Sequence, residues 1–436
     1  MSVPVAPGRL PLLGHTLPML RKRFEFTANL HHQGELVEVQ LGPLRTLFVT
    51  SPRLMHQVLV TDAPKFHKGR FFEKFRPVVG NGLALSSGPF HLRQRRMMQP
   101  AFHRDRIAGY ADIMLRATHD LLKSWRPGEV RRLEIDMQGL AVTIVGEALF
   151  STAIGAQAID EIQRSIFVII KNGVLRALSP GFVEKLPIPA NREFDEAIAR
   201  MQAIVEKLIA SRRADGTDHG DLLSTLLLAR DEAGEPMTDQ EVFDEVITLL
   251  SAGVETTALA LAWIFHEIAA NPEIERRVQA EVDEVLAGRE VTVDDVPKLT
   301  YLGQVASEVL RKYPLWLLMR RAAEEVQVGD VVLMPGAEVI LSPHAMHHNP
   351  EHFPDPERFD PDRWTPERAR QLPKGAYVPF GGGIHQCIGN HFALTEIIIV
   401  AATVCARHRL VPDRPVRTRF TNAAYPLDLL MKVVPR

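Results

Sequence analysis

The sequence predicts a mainly α-helical protein with a minor β component. Apolar residues recur at i, i+3 and i+4 through most of the chain from 52 to 315, a spacing typical of amphipathic helices. Alternation of apolar and polar residues, which indicates strands, is confined to short stretches nearer the two ends. With 46% hydrophobic and 24% charged residues, the 436-residue chain can bury a large core, and we expect a single domain over residues 1–436.

The elements follow one another in three parts. Residues 1–50 are rich in proline and contain LVEVQLGPLRTLFV, which predicts two strands around Gly42 and Pro43. The pattern is helical over 51–320, and over 321–436 it passes through short strands and a proline-rich meander to an apolar helix and final strands. Helices are predicted at 106–124, 135–150, 192–213, 238–270, 273–287 and 390–406, with polar connectors at 211–220 and 229–237.

Composition limits the partners and the compartment. The formal net charge of −2 gives no reason to expect nucleic acid as a partner. Two cysteines, Cys387 and Cys405, are too few for the disulfide framework of a secreted protein, which favours a cytoplasmic protein. The first residues contain no apolar run long enough for a signal segment. We therefore expect a cytoplasmic protein without a membrane span, and we predict a monomer.

The segment FGGGIHQCIG, residues 380–389, places three consecutive glycines before Cys387. Such glycines indicate unusual backbone torsions and a close approach to another group, which we interpret as a flat ligand. Cys387 also lies just before a predicted helix N-terminus, which stabilises a thiolate, the form of cysteine that binds metals. The alternative is a small buried hydrophobic residue, and this is our interpretation of Cys405 on an apolar helix face.

This segment resembles the haem-binding loop of the cytochrome P450 family, F-G-x-G-x-H-x-C-x-G. The resemblance implies the cytochrome P450 fold, with a long central helix across the haem and small β-sheets in the N-terminal and C-terminal portions. It also implies haem b, iron protoporphyrin IX, with Cys387 as the axial thiolate ligand and dioxygen as co-substrate. The positions that carry the match are Phe380, Gly381, Gly383, His385, Cys387 and Gly389.

The predicted helix 238–270 opens with a capping box, Thr238 and Glu241, and has an unusual middle, AGVETT. Glycine, glutamate and two threonines are poor choices inside an apolar helix, and such inconsistency often marks function. The alternative is a threonine that bonds back to the carbonyl four residues earlier. The segment is similar to the family's oxygen-activation motif, which implies three roles. Gly253 would leave room for dioxygen, Glu255 would relay protons, and Thr256 would supply a hydroxyl for oxygen activation.

Glu308 and Arg311 lie at i, i+3 on one helix face and match the family's E-x-x-R motif. The resemblance implies a third member, an arginine of the meander FPDPERFDPDRW. Arg358 is the literal match, but the downstream Asp-Arg-Trp favours Arg363. We expect this triad to be structural, holding the core around the cysteine loop.

The two haem propionates need cations or strong donors when they are buried. The resemblance implies four candidates for this role. Arg320 is an alternative to its neighbour Arg321, which the spacing from Glu308 favours. The four candidates are His91, Arg95, Arg321 and His385.

An oxygenase of this type needs two electrons from a separate protein, and we expect a ferredoxin or flavodoxin with its reductase. Basic residues close in sequence to the cysteine loop or to His91 are candidates for binding an acidic partner. For the run at 91–96, a solvated basic helix face is an equally good interpretation. The candidates are Arg93, Arg96, Arg104 and Lys374.

The resemblance implies insertion of one atom of dioxygen into a lipophilic molecule, by hydroxylation or epoxidation. A terpenoid, fatty acid or polyketide fits, and the order of residues after 76 resembles that of fatty-acid and terpenoid hydroxylases more than that of camphor-type bacterial enzymes. A peroxide-driven oxygenase, a haem isomerase and a haem sensor are the alternatives, which Glu255 and Thr256 disfavour. The substrate would meet 71–85, 173–190, 245–256, 316–319 and 422–428, chiefly Phe71, Phe72, Val78, Val79, Leu249, Ala252, Trp316, Leu317 and Leu318.

Overall fold

The computed structural model describes residues 3–150 and 182–436, and between them only positions 161, 162, 164, 165, 168, 169 and 172. Residues 173–181 of the predicted substrate segment 173–190 therefore lie outside the described residues. The chain forms two compact units, which we name the sheet unit and the helical unit. The sheet unit comprises Met1–Glu73, Ser307–Cys387 and Phe420–Tyr425, and the helical unit comprises Lys74–Ala306, Ile388–Arg419 and Pro426–Arg436.

The described helices and strands match the predicted class, mainly α with minor β. The helices are α1 (Thr16–Arg21), α2 (Arg23–Ala28), α3 (Pro52–His56), α4 (Arg70–Glu73), α5 (Arg76–Val79), α6 (Gly88–Met98), α7 (Arg104–Ser124), α8 (Leu133–Phe150), α9 (Pro189–Asp215), α10 (Leu222–Leu228), α11 (Asp239–Ala270), α12 (Pro272–Leu286), α13 (Thr300–Lys312), α14 (Pro343–His347), α15 (Pro366–Ala369) and α16 (Asn390–Arg407). The strands are β1 (Leu36–Leu41), β2 (Leu44–Val49), β3 (Phe66–Lys68), β4 (Val130–Arg132), β5 (Leu318–Ala322), β6 (Val326–Val328), β7 (Val331–Leu333), β8 (Glu338–Leu341), β9 (His408–Pro412), β10 (Arg417–Phe420), β11 (Ala424–Leu427) and β12 (Leu430–Pro435).

The sheet unit is built on a five-stranded sheet in the order β1-β2-β8-β5-β3. β1 and β2 form the predicted hairpin, closed at Gly42 with a φ of 59°. β2 pairs with β8 in parallel, and β5 is antiparallel to both β8 and β3. Alternate side chains of β5 and β8 enter two apolar clusters, one with Leu341 and one with Ile340, because strand neighbours point to opposite faces.

The helical unit has α11 at its centre, and the apolar spacing of 238–270 predicted this helix. α11 begins with the expected capping box, in which Thr238 accepts from Glu241 N–H and the Glu241 carboxylate accepts from Thr238 N–H. It packs against α8, α9, α12 and α16. A three-stranded sheet in the order β4-β12-β9 completes this unit.

The connector predicted at 211–220 is wrong at its start, because α9 continues to Asp215 and ends at Gly216 in the left-handed conformation.

α11 and α16 are each long and apolar enough to cross a membrane by composition. However, 61% of the most apolar window of α11 and 67% of that of α16 is buried within the fold. Their apolar character is accounted for by packing in the core.

Candidate active site

The cysteine loop of the sheet unit holds Cys387 with its side chain exposed. Three backbone bonds shape the loop. Gly381 N–H donates to Val378 O at 3.1 Å, Gln386 N–H donates to Gly383 O at 3.1 Å, and Cys387 N–H donates to Phe380 O at 2.9 Å. The loop therefore folds back on itself and presents the thiol outward, as a metal ligand requires.

The glycines of this loop are needed for close packing against the protein itself. Gly383 has a φ of +62°, and a Cβ atom there would lie 2.2 Å from Leu59 O. At Gly382, a Cβ atom would lie 3.2 Å from a methyl group of Val60. The interpretation that these glycines approach a flat ligand is therefore wrong for Gly382 and Gly383, which approach the Leu59–Val60 turn. Gly381 has a φ of +69°, which strains any other residue.

A chain of hydrogen bonds links the loop to Arg311 through His347, a residue that the sequence analysis missed. His347 is fully buried, and its Nε2 accepts from Val378 N–H at 2.9 Å. Its carbonyl accepts from Arg311 Nη1 at 3.0 Å. Burial lowers the pKa of His347 well below its usual value, so the ring is neutral and can accept this bond. No motif in the sequence marks this histidine.

Glu308 is the centre of a buried polar cluster. Arg311 donates to both of its carboxylate oxygens, Nε to Oε2 and Nη2 to Oε1, each at 2.9 Å. Arg363 Nε donates to Oε1 at 3.3 Å, and Trp364 Nε1 donates to Oε2 at 2.9 Å. The backbone carbonyl of Arg358 accepts from Arg311 Nη2 at 3.4 Å. The side-chain contact with Glu308 is thus made by Arg363, the favoured one of the two candidates.

The structure distinguishes Arg320 from Arg321, which point to opposite faces of β5. Arg321 Nη2 donates to Glu73 Oε1 at 2.6 Å, and 27% of its side chain is exposed. Arg320 is only 3% exposed, and the one hydrogen bond of its side chain within the described chain is from Nη1 to Met319 O at 3.0 Å. Burial lowers the pKa of Arg320 to about 10.

This geometry favours Arg320 over Arg321 as a propionate ligand. The charge of Arg321 is already matched by Glu73. Arg320 is a buried guanidinium with five N–H donors and a single carbonyl acceptor, which is costly unless an anion completes its shell. A carboxylate such as a haem propionate fits that requirement. Arg320 therefore gives the sheet unit a residue that could bind haem.

The other propionate candidates lie on different elements. His91 is buried in α6, where its Nδ1 lies 3.1 Å from Ser86 Oγ. Arg95 is half-buried one turn later on the same helix, and His385 is half-buried in the cysteine loop. Gly389, the N-cap residue of α16, packs in the helical unit with Phe102, whose ring would lie 3.7 Å from an added Cβ atom.

The side chain of Arg93 is engaged by acidic residues of the protein itself, and its contact with a redox partner stays a prediction. Its Nε donates to Asp231 Oδ2 at 2.6 Å, its Nη1 to Glu241 Oε1 at 2.8 Å and its Nη2 to Pro236 O at 3.0 Å. These bonds neutralise the charge. Arg96 pairs with the exposed Glu232 at 2.6 Å, a contact that water and salt weaken. Arg104 and Lys374 are exposed.

The oxygen-activation segment lies in an unbroken stretch of α11. Thr256 Oγ1 donates to Ala252 O at 2.8 Å, and Thr257 Oγ1 donates to Gly253 O at 2.7 Å. Both threonines therefore make the back-bond considered as the alternative. Thr256 and Ala252 are nevertheless exposed, in the middle of a helix whose other faces are mostly buried. Glu255 is half-buried.

Gly253 does not face open space. A Cβ atom there would lie 3.1 Å from a methyl group of Val145 on α8, which is tighter than ordinary contact. The missing side chain of Gly253 therefore allows α8 to approach α11, and the prediction that it leaves room for dioxygen stays a prediction. The accessible stripe on α11 consists instead of Leu249, Ala252 and Thr256, at spacings of three and four residues.

The predicted substrate residues fall into separate groups. Phe71, Phe72 and Leu317 are partly buried and pack on the apolar cluster that contains Trp316. Trp316 is 2% exposed and lies in the core, and its role as pocket lining stays a prediction. Leu318 packs on the opposite face of the sheet. Val78 and Val79 are buried on α5, which packs against α11, and, of the predicted substrate residues on α11, Leu249 and Ala252 are both accessible.

Two acids of α11 that the sequence analysis missed hold the 80–83 segment. Asp244 Oδ2 accepts from Asn81 N–H at 2.7 Å, and Glu245 Oε2 accepts from Leu83 N–H at 2.9 Å. Burial raises the pKa of Glu245 to about 8. Gly80, with a φ of +56°, has no room for a Cβ atom beside Asp244. The signals available in the sequence were the G-x-G pattern at residues 80–82 and the two acids inside an apolar helix.

Comparison with known proteins identifies the family. The model of the cytochrome P450 family matches residues 4–432. The chain belongs to the cytochrome P450 family. It is 46% identical to the cyclooctat-9-en-7-ol 5-monooxygenase of Streptomyces melanosporofaciens, over 93% of this chain and 89% of that protein. It is 42% identical to the cyclooctatin synthase of the same organism, over 98% and 95%, and 35% identical to the pentalenene oxygenase of Streptomyces avermitilis, over 99% and 97%.

Membership of this P450 family has direct consequences for the chemistry. The protein is an oxidoreductase of the monooxygenase class that binds haem through a cysteine thiolate and uses dioxygen. As a P450 monooxygenase it acts on a lipophilic molecule and requires a redox partner. The predicted family, fold class, enzyme class and cofactor are confirmed.

Proposed function

We propose that this P450 oxygenates a cyclic terpenoid alcohol or hydrocarbon in bacterial secondary metabolism. The supporting observation is the 46% identity to a cyclooctat-9-en-7-ol 5-monooxygenase over 93% of the chain. The two other relatives, a cyclooctatin synthase and a pentalenene oxygenase, are named for related compounds. The protein would work in the cytoplasm, as a monomer, with electrons from a ferredoxin or flavodoxin.

Cys387 is the haem ligand in this proposal. Its thiol is exposed in a loop held by its own backbone bonds. Cys405, the other cysteine, is buried on α16, and burial raises the pKa of its thiol to about 12, so it stays protonated. Bound haem supplies the two-electron activation of dioxygen that the monooxygenase reaction needs. Phe380 packs beside the thiolate, and Gly381 permits the turn.

Thr256 and Glu255 move protons in the proposed site. The Thr256 hydroxyl is exposed and donates to Ala252 O at 2.8 Å, so its lone pairs remain open to a second donor. Rotation about its side-chain bond turns the same proton toward a bound ligand. Glu255, the preceding residue and half-buried, is placed to resupply that proton from solvent. The back-bond is thus the resting state of the hydroxyl.

Arg320 is the main propionate-binding residue of the proposed site, with His91, Arg95 and His385 as further donors. Arg320→Met is expected to speed haem loss about tenfold or more, because a hydrogen bond between charged groups contributes about 1.5–3 kcal/mol. The measurement is the rate of haem transfer to apomyoglobin. Removal of an unmatched buried cation should leave the free energy of unfolding of the haem-free protein unchanged or higher.

Arg321→Met is the matched control for Arg320→Met, since it removes the neighbouring cation on the other face of β5. We expect it to change the rate of haem loss by less than about threefold, because Arg321 is paired with Glu73. Faster haem loss in Arg321→Met than in Arg320→Met would return the propionate role to Arg321.

The function is tested by turnover with a bacterial ferredoxin, its reductase and cyclooctat-9-en-7-ol as the probe. The wild-type protein should show a substrate-induced shift of its haem absorbance and form an oxygenated product. Thr256→Ala should bind the probe equally well but form about tenfold less product per electron pair, with the difference released as hydrogen peroxide, because proton delivery contributes at least that much.

Two results would contradict the proposed function. Failure of cyclic terpenoids to shift the haem absorbance would exclude them as the substrate class. Equal turnover with hydrogen peroxide alone, without ferredoxin and reductase, would indicate a peroxide-driven oxygenase instead. Full coupling in Thr256→Ala would mean that another group delivers the protons.

A further inference from the structure

Glu396 is a fully buried carboxylic acid on α16, a helix that packs against α11. Neither of its carboxylate oxygens has a well-formed hydrogen bond within the described chain. Burial raises the pKa of Glu396 to about 8, and only Thr257 of α11 acts in the opposite direction. Among the residues that the structure describes, no charged side chain of the surrounding helices contributes. Glu396 is therefore a neutral acid at neutral pH, with a proton to donate.

Thr257 is the group that can take this proton in a hydrogen bond. Its own hydroxyl proton is committed to Gly253 O at 2.7 Å, which leaves the oxygen lone pairs as acceptors. A neutral Glu396 can therefore donate to Thr257 Oγ1 while Thr257 donates to Gly253 O. Gly253 follows Ala252, whose carbonyl accepts from Thr256. The two threonine back-bonds thus lie at consecutive positions within one turn of the helix.

We propose that Glu396 is a positioning residue for the oxygen-activation segment. It donates to Thr257 Oγ1 and so holds the Thr257 bond to Gly253 and the backbone that carries Thr256. Only the catalytic consequence rests on the proposed function of Thr256. The hydrogen bond itself involves only α11 and α16, and it does not depend on the role of Thr256.

Ionisation of Glu396 should reverse the hydrogen bond. A carboxylate has no proton to donate and accepts strongly, so Thr257 would turn its hydroxyl from Gly253 O to Glu396. The carbonyl of Gly253 would then lose its side-chain donor. The arrangement of the segment should therefore depend on pH, with a midpoint near the pKa of about 8.

The experiment compares the haem-loaded wild-type protein with Glu396→Gln and Glu396→Leu from about pH 6 to about pH 10, the range around the raised pKa. Infrared difference spectra should show a protonated carboxylic acid in the wild-type protein that is absent from Glu396→Gln and disappears above about pH 8. After correction for the intrinsic rise of amide exchange with pH, the protection of residues 250–260, followed by mass spectrometry, should fall about fivefold over the same range, the value of one net hydrogen bond.

Glu396→Gln keeps the side-chain volume and an N–H donor, so it should keep full protection of residues 250–260 at every pH and coupling within about twofold of the wild-type protein. Glu396→Leu lacks a donor and should show the reduced protection at every pH, with more hydrogen peroxide per electron pair. Thr257→Val should reproduce Glu396→Leu, and the double variant should be no worse, as expected for residues that act as one unit.

The proposal is overturned if Glu396 is already ionised at about pH 6, or if exchange in the wild-type protein and Glu396→Gln has the same pH profile. These readouts do not involve turnover. If Thr256→Ala leaves coupling intact while the infrared and exchange results hold, the role of Thr256 fails and the Glu396–Thr257 bond stands. Should Glu396→Leu fold poorly, the wild-type and Glu396→Gln profiles still decide.

Discussion

Cys387→Ser is expected to abolish the red-shifted absorbance band of the reduced, carbon monoxide-bound protein. A serine hydroxyl is a poor ligand that stays protonated at neutral pH, so the electron-rich thiolate that this band reports would be missing. Monooxygenase turnover should fall by at least about a hundredfold, because the ligand acts in every turnover. The measurements are the carbon monoxide difference spectrum and product formation with ferredoxin and reductase.

Cys405→Ala is the matched control for Cys387→Ser. Cys405 is buried on α16, and its thiol has a pKa of about 12, so its loss should cost about 1 kcal/mol in packing and leave the spectrum unchanged. If Cys387→Ser kept the red-shifted band and Cys405→Ala lost it, the assignment of the ligand would be reversed.

The helical part of the fold could be predicted because its signals are local. The spacing of apolar residues gave α7, α8, α9, α11 and α12 to within a few residues. The capping box at Thr238 fixed the start of α11, because both of its bonds lie within four residues. The end of α9 was misplaced because SRRAD is polar enough for a loop, while packing decides how far a helix continues.

Site residues were harder to predict because their orientation depends on distant strands. A shift of one residue along a strand moves a side chain to the other face of the sheet, so counting from Glu308 could not separate Arg320 from Arg321. Glycines were recognised as close contacts, but the contacting partners, Leu59 for Gly383 and Val145 for Gly253, are far away in sequence. Charge alone marked Arg93, whose acidic partners are over 130 residues away.

Glu308→Gln is expected to lower the free energy of unfolding by about 3–5 kcal/mol, the usual cost of leaving buried charges without their partner. The amide keeps the shape of the side chain, but it removes the one negative charge between Arg311 and Arg363, which are both buried. It also replaces an acceptor oxygen with an amide donor among groups that only donate. Denaturant unfolding followed by circular dichroism measures this loss.

The effect should also reach the cysteine loop of the same unit, because Arg311 binds the carbonyl of His347, whose ring accepts from Val378 N–H. Carbon monoxide spectra of Glu308→Gln should therefore show loss of the thiolate band well below the unfolding midpoint. Arg363→Met should be less damaging, since Arg311 still neutralises Glu308 through two bonds. Arg358→Ala should cost less than about 0.5 kcal/mol, because Arg358 contributes only its backbone carbonyl to Arg311. An Arg358→Ala variant as unstable as Arg363→Met would contradict the placement of Arg363 in the triad.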